Sequence, residues 1–283
     1  WVCRWSGGSN AGHTIYVNGN KYVTHIVPAG IFHNIPCYIG PDCYVNLHDL
    51  DDEMEYLAEN GFNIDLIKVS GRANVITKTH KEQDAISYKK QQRSTGKGIA
   101  PCARDKFGRI GERLDQYVIT HGIRTKYFNP FKHIWDDNSM SLRGNLLCEG
   151  AQGFWLDINQ GYYPYVTSSN TLPYSACSLG FPPQKIRHIY GAAKIYDTRV
   201  GTDPSFPENM SNELLSIAEI GAEFGATTGR ARKVWWLNIN RLIEAINITG
   251  STHIVISKTD VLDKVNVHKL SFNDEIIPFN DLD

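Results

Sequence analysis

The stretch Asn46-Leu47-His48-Asp49-Leu50-Asp51-Asp52-Glu53-Met54-Glu55-Tyr56-Leu57-Ala58-Glu59-Asn60-Gly61-Phe62-Asn63-Ile64-Asp65-Leu66-Ile67-Lys68-Val69 decides the fold class. Leu47, Leu50, Met54 and Leu57 recur at helical spacing, Asn46 stands in front as a cap, and Asn60-Gly61 supplies the stop. Residues 64–69 then read as a strand. The same alternation continues outward. The opening Trp1-Val2-Cys3-Arg4-Trp5 reads as a strand already under way, and residues 146–148, 186–193 and 253–257 read as further strands. Between the last two lie helical patterns at 212–220, capped by Ser211, and at 237–248, closed by Gly250. Strands alternating with helices across glycine-marked junctions imply an α/β fold with a mainly parallel central sheet flanked by helices, and ligands in crevices at the carboxyl ends of the strands. One local exception is a β-hairpin near the N-terminus, where Asn18-Gly19 sits between β-prone flanks. Residues 122–141, aromatic and polar with weak periodicity, read as a helix–loop connection. The chain is expected to form a single domain over residues 1–283, incomplete at both ends, since it opens without Met and stops after a short acidic segment.

Composition narrows the function. In 283 residues, 29 Lys+Arg face 30 Asp+Glu, a net charge of -1 that argues against nucleic-acid or anionic-lipid binding over a broad face. Lys89-Lys90 and residues 230–233 are the only basic clusters that would favour nucleic acid. Apolar runs such as Ile254-Val255-Ile256 fall far short of the roughly 20 residues of a membrane span. Six scattered cysteines without a C-x-x-C pair fit a reducing, cytoplasmic setting better than a disulfide framework. Ten histidines with no H-E-x-x-H give little support to a protein-held transition metal.

Five segments carry candidate chemistry, each with a plainer alternative. Gly7-Gly8-Ser9-Asn10-Ala11-Gly12-His13-Thr14 lets the backbone approach a ligand beside a titratable ring, or is a glycine turn before the hairpin. Arg93-Ser94-Thr95-Gly96-Lys97-Gly98, followed by Arg104, Lys106 and Arg109, offers hydroxyls, backbone N–H groups and cations to a phosphate, or is a solvated basic loop; G-x-x-x-x-G-K-[ST] is not present. Glu149-Gly150-Ala151-Gln152-Gly153 places an amide at a strand's carboxyl end, where its donor and acceptor suit a purine edge, and Thr167-Ser168-Ser169-Asn170-Thr171 adds hydroxyls, or is a polar turn. In Gly225-Ala226-Thr227-Thr228-Gly229-Arg230-Ala231-Arg232, two guanidinium groups alternate about Ala231 and can clamp a dicarboxylate, or form a surface pair. Ser257-Lys258-Thr259-Asp260 ends a strand with a carboxylate able to accept from guanine's ring N–H and amine, or with a strand-end ion pair.

Taken in order, these segments resemble adenylosuccinate synthetase from Arg4 to Val265. The family pattern G-G-x-N-A-G-H-T matches residues 7–14, E-G-A-Q-G matches 149–153, and Y-P-Y-V-T-S-S-N-T matches 163–171. T-R-V-G, G-A-T-T-G-R and K-x-D-V-L-D match 198–201, 225–230 and 258–263. The resemblance implies a P-loop-NTPase-like fold and a ligase of purine biosynthesis that joins IMP and L-aspartate. GTP phosphorylates the purine O6, giving a 6-phosphoryl-IMP intermediate, and the aspartate amine then displaces phosphate. By that resemblance His13 is the catalytic acid and a donor to the phosphate chain, Gln152 orients the base, and Gly12 offers its carbonyl to Mg²⁺. Asn10, Thr14, Lys258 and Asp260 serve GTP, with Lys258 and Asp260 reading guanine. Ser94, Thr95 and Thr167 hold the IMP phosphate, joined by Arg109 from the neighbouring subunit of a homodimer. Thr228, Arg230 and Arg232 receive aspartate.

Departures from the family pattern qualify this. The leading W-G-D-E-G-K-G-K loop would precede Trp1, so little turnover is expected of the chain as it stands, and the C-terminal S-T-G-P segment is not in the sequence. Lys97 replaces Arg, Ala231 replaces Arg, Pro207-Glu208 replaces Pro-Thr, and the connection between Leu114 and Gly144 is that of compact members. Two alternatives stand beside the main reading. One is a 2-aminoadenylosuccinate synthetase acting on dGMP with ATP; the other is a catalytically inactive nucleotide-binding relative.

Overall fold

The computed structural model describes residues 1–88, 94–123, 125–138, 141–207, 209–225 and 229–280. The chain divides into two compact units, Trp1–Pro182 and Pro183–Asp283. The first is built on five parallel strands in the order Ile134–Trp135, Ile67–Ser70, Cys37–Ile39, Val2–Arg4, Leu147–Glu149. Side chains alternate between the two faces. Cys37, Ile39, Ile67 and Val69 enter one core with Leu50, Met54 and Leu57 of the Leu47–Glu59 helix. Cys3 and Tyr38 enter the other with Trp5, Ala176 and Leu179. Each fully buried Leu or Met contributes about 2 kcal/mol.

Chain order fixes where a ligand can enter. From Val2–Arg4 the chain builds the sheet outward through Cys37–Ile39 and Ile67–Ser70, then returns to place Leu147–Glu149 on the opposite side of Val2–Arg4. This is a topological switch point, and the loops leaving the two strands splay apart at their carboxyl ends.

The Leu47–Glu59 helix begins as expected, with the Asn46 side chain accepting from the Asp49 N–H. Its polar face is a row of carboxylates that organise neighbouring loops. Glu53 accepts from the backbone N–H groups of His25, Ile26 and Val27, and Asp51 from those of Lys126, Tyr127 and Phe128. The hairpin forms from His13–Val17 and Asn20–Thr24, with Asn18 at φ 51° and Gly19 at φ 81°, as its Asn-Gly pair requires.

Some boundaries shift. Ile64–Leu66 is a 3₁₀ turn, because the Asn63 side chain caps it, and the strand starts at Ile67. The segment read as a helix–loop connection contains the short Pro130–His133 helix and the edge strand Ile134–Trp135.

The second unit holds the parallel pair Tyr190–Lys194 and His253–Ser257, the antiparallel pair Tyr196–Arg199 and Lys233–Trp236, and a hairpin of Lys269–Phe272 with Glu275–Pro278. Residues 186–189 lie outside the strand predicted there. The helix Asn212–Ile220 is capped by Ser211, and Ile239–Thr249 is capped by Asn238 and closed by Gly250. Tyr196, Leu214, Ile217, Val234, Trp236 and Leu262 form this unit's core. Among the described residues no helix is long and apolar enough to cross a membrane.

Candidate functional site

Strand register creates the first cluster. Arg4 and Glu149 are paired residues at the carboxyl ends of adjacent parallel strands, so their side chains emerge on one face. Arg4, only 1% exposed, donates from Nη2 to Glu149 Oε1 at 2.8 Å and from Nη1 to His13 Nε2 at 2.7 Å. His13 Nδ1 lies 3.1 Å from the same Glu149 oxygen, and the Ala29 N–H donates to the other at 2.7 Å. Because a guanidinium can only donate, His13 Nε2 accepts and the ring proton sits on Nδ1, facing Glu149. Burial alone would raise the Glu149 carboxyl; its bonds from His13, Arg4 and Ala29 outweigh this and hold it below the usual range.

Gln152 stands beside this cluster in a left-handed conformation, φ 62°. The Gly8 N–H donates to Asn10 Oδ1, which fixes the Asn10 amide; Gln152 must then present Nε2 to the same oxygen, at 3.1 Å. Gln152 Oε1 is left buried with no hydrogen-bond partner, as is Thr167 Oγ1. Gly7, at φ 80°, makes room: a Cβ there would lie 3.3 Å from Gln152 Oε1.

Around this core the predicted phosphate groups have internal partners. Ser94 Oγ donates to Asp84 Oδ1, and the Gly98 N–H to Asp84 Oδ2 at 2.7 Å, so a buried carboxylate takes up donors of the anticipated nest. Asp49 ties that loop to the glycine-rich one, accepting from Ser9 Oγ and Lys81 at 2.8 Å, with Lys97 at 3.5 Å. Although burial pushes the Asp49 carboxyl up, Lys81, Ser9 and Lys97 bring it below its ordinary value. The fully buried Asp157 accepts from the N–H groups of Asn159, Gln160 and Thr171, shaping the loop that carries Thr167, whose N–H bonds Leu156 O. Thr14 lies exposed on the hairpin, while Gly12 and Thr95 are half-buried. Arg109 is exposed and lines a basic cavity of about 430 Å³ with Asp42, Arg72, Lys106 and Arg113.

The second unit has its own charged cluster. Glu223, 3% exposed, accepts from Lys194 at 2.6 Å, Tyr196 at 2.7 Å and Arg232 at 3.1 Å. Burial favours the neutral Lys194, which its bond to Glu223 opposes without fully restoring the ordinary value. Lys258, at φ 66°, donates to Gly221 O. Asp260 is exposed and paired with Lys264 at 2.8 Å. The bridge between Phe224 and Ala231 shows an extended backbone, so Arg230 and Arg232 share the face opposite Ala231. Thr228 lies outside the described residues.

A sequence profile described as adenylosuccinate synthetase matches residues 1–134 and 136–273. The chain belongs to the adenylosuccinate synthetase family. The chain is 39% identical to the adenylosuccinate synthetase of Desulforapulum autotrophicum, over 95% of this chain and 73% of that one. It is 36% identical to that of Geobacillus kaustophilus over the same shares. The fully ligated adenylosuccinate synthetase from Plasmodium falciparum matches with a TM-score of 0.78 at 30% identity, covering 92% of this chain and 71% of that one. The succinoaminodeoxyadenylate synthetase of cyanophage S-2L, bound to dGMP and dATP, matches with a TM-score of 0.72 at 20% identity, over 98% and 86%, and so shows the fold alone.

Against this adenylosuccinate synthetase background, the sequence pointed to Asn10 and Gln152, which bond to one another, and to His13, which meets Arg4 and Glu149, but gave no role to Arg4, Asp49, Asp84, Lys194 or Glu223. Arg4 and Glu149 carried a usable signal: Arg4 lies in the predicted opening strand and Glu149 directly follows the one predicted at residues 146–148. Glu223 and Asp84 carried none beyond being charged residues near a motif. The six cysteines are free thiols, and burial pushes those of Cys3, Cys37, Cys43 and Cys102 up to about 12.

Proposed function

We propose that this chain joins IMP and L-aspartate at the expense of GTP, releasing adenylosuccinate, GDP and phosphate. The observation that carries the reading is Gln152 Oε1, a buried acceptor lacking a donor, three residues beyond the Glu149 that contacts His13 at the sheet's switch point. A hypoxanthine ring supplies what that oxygen needs, an N1–H, and a neutral amide accepting it draws electron density toward O6. O6 then takes the γ-phosphoryl group as GDP leaves and the N1 proton passes to water; the aspartate amine adds at C6, loses a proton, and phosphate departs.

His13 donates to the phosphate chain in this scheme. Its Nε2 accepts from Arg4 in the free protein, so a phosphate oxygen has to take over the Arg4 N–H before the ring can turn its own proton outward. Arg4 is thereby a second donor to the transferred group. Ser94, Thr95 and Thr167 hold the IMP phosphate, Ser94 exchanging Asp84 for it, and Arg109 joins from a second copy of the chain in a homodimer. Asn10 and Thr14 face the GTP phosphates, and Lys258 with Asp260 reads guanine once Asp260 leaves Lys264. Thr228, Arg230 and Arg232 receive aspartate. Among the described residues no group of three or more His, Cys, Asp or Glu side chains could hold a metal ion; Mg²⁺ would be carried by the nucleotide phosphates, with the Gly12 carbonyl as a ligand. Bound there, it would neutralise phosphate charge.

The test is phosphate release by the protein carrying the leading phosphate loop, with Mg²⁺ and each substrate omitted in turn. Release requiring IMP, aspartate and GTP together supports the reading; release confined to dGMP with ATP would replace it.

A further inference from the structure

We propose that Glu223 is a positioning residue that aims Arg232 at a carboxylate of the acidic co-substrate. The proposal rests on the aspartate reading above and adds the group that makes the clamp rigid. Glu223 is nearly sealed from solvent, and its two oxygens are divided between Tyr196 OH on one side and Lys194 with Arg232 Nη1 on the other. The backbone repeats the connection. The Arg232 N–H donates to Glu223 O at 3.0 Å, and the Gly225 N–H to Arg230 O at 2.8 Å, so residues 223–225 and 230–232 run side by side. Residue 232 is therefore pinned to residue 223 at main chain and side chain alike.

The pinning leaves the guanidinium incompletely used. Arg232 Nε is buried without a partner, while Nη1 is held. One carboxylate also serves more than one cation. Lys194 and Arg232 both contact Glu223, and Lys258 reaches Gly221 O, two residues away; Asp260 is taken by Lys264. Three cations against a single buried anion leave two positive charges over, a balance suited to an incoming carboxylate. A flexible arginine would spend binding energy on ordering its side chain, which an arginine already clamped at Nη1 avoids.

The test compares Glu223→Gln and Glu223→Asp with the unaltered chain. Calorimetry follows binding of succinate, an aspartate without its amine, and of IMP. The Arg232 Nε–H resonance, identified by its loss in Arg232→Lys, reports the side chain directly. Glu223→Gln should weaken succinate on the order of tenfold and leave IMP within twofold, while the Nε–H signal broadens or exchanges away. Glu223→Asp, which keeps the charge, should restore part of both. Equal weakening of succinate and IMP, or an Nε–H signal unchanged in Glu223→Gln, overturns the proposal. If Glu223→Gln does not fold, an unchanged signal and unchanged succinate affinity in Glu223→Asp overturn it. If the unaltered chain binds no succinate, the aspartate reading fails, and the Nε–H signal still decides whether Glu223 positions Arg232.

Discussion

Removing one partner of the Arg4–Glu149 pair should destabilise the first unit more than removing both together would suggest. Arg4 is 1% exposed and Glu149 19%, so Glu149→Gln leaves a guanidinium almost out of reach of water, with only a neutral acceptor. A stranded buried charge costs about 3 kcal/mol, and Arg4→Met strands the carboxylate at a similar cost. The double variant strands neither and should cost no more than either single, so the cycle should return a coupling of at least about 3 kcal/mol in urea unfolding at pH 7. The pH dependence has a definite sign. Glu149 is held below its ordinary carboxyl value in the folded protein, so its contribution is fully present above the unfolded pKa, about 4.3, and is lost as pH falls through the folded value. The coupling should shrink in that acid range. Additive single variants, within about 0.5 kcal/mol at pH 7, would refute the electrostatic account of the cluster.

Three further outcomes follow from the same geometry. Burial raises the Asp197 carboxyl to about 6, so the folded state favours its protonated form and stability declines as pH climbs from about 4 toward 6. Asp197→Asn keeps an acceptor for the Asn238 N–H and should raise stability at pH 7.5 by about 3 kcal/mol, with less gain at pH 4.5, read from urea unfolding. Gly7→Ala adds a Cβ 3.3 Å from Gln152 Oε1 at a φ of 80°; it should cost about 1 to 2 kcal/mol of stability and weaken IMP in calorimetry. Arg232→Leu should raise the aspartate requirement far more than the IMP requirement in initial-rate kinetics, because a forked carboxylate contact is lost.

What the sequence discloses depends on how local the controlling forces are. The Leu47–Glu59 helix was readable because its apolar spacing, Asn46 cap and Asn60-Gly61 stop all lie within sixteen residues. Ser211 and Gly250 framed their helices for the same reason. Ile134–Trp135 escaped because two residues cannot show an alternation, and their strand character comes from pairing with Val69 and Ser70. Ile64–Leu66 was misread as strand because its apolar residues match one, while the Asn63 cap decides otherwise. At the site, Gln152 and His13 could be named from motifs, but the Nδ1–H tautomer of His13 depends on a register between strands separated by more than 140 residues. Asp84 and Glu223 act through contacts that no spacing rule encodes. The predicted phosphate nest was legible as donors, and the buried carboxylate that meets them was not.

The central claim, that Gln152 Oε1 awaits the N1–H of a 6-oxopurine nucleotide, is tested most directly by titrating the chain with IMP and with AMP, whose ring nitrogen carries no proton. An unpaired buried acceptor costs about 1 to 3 kcal/mol, so IMP should bind roughly tenfold or more tightly, and Gln152→Leu should abolish the preference. Equal affinity for the two nucleotides in the unaltered chain would contradict the account.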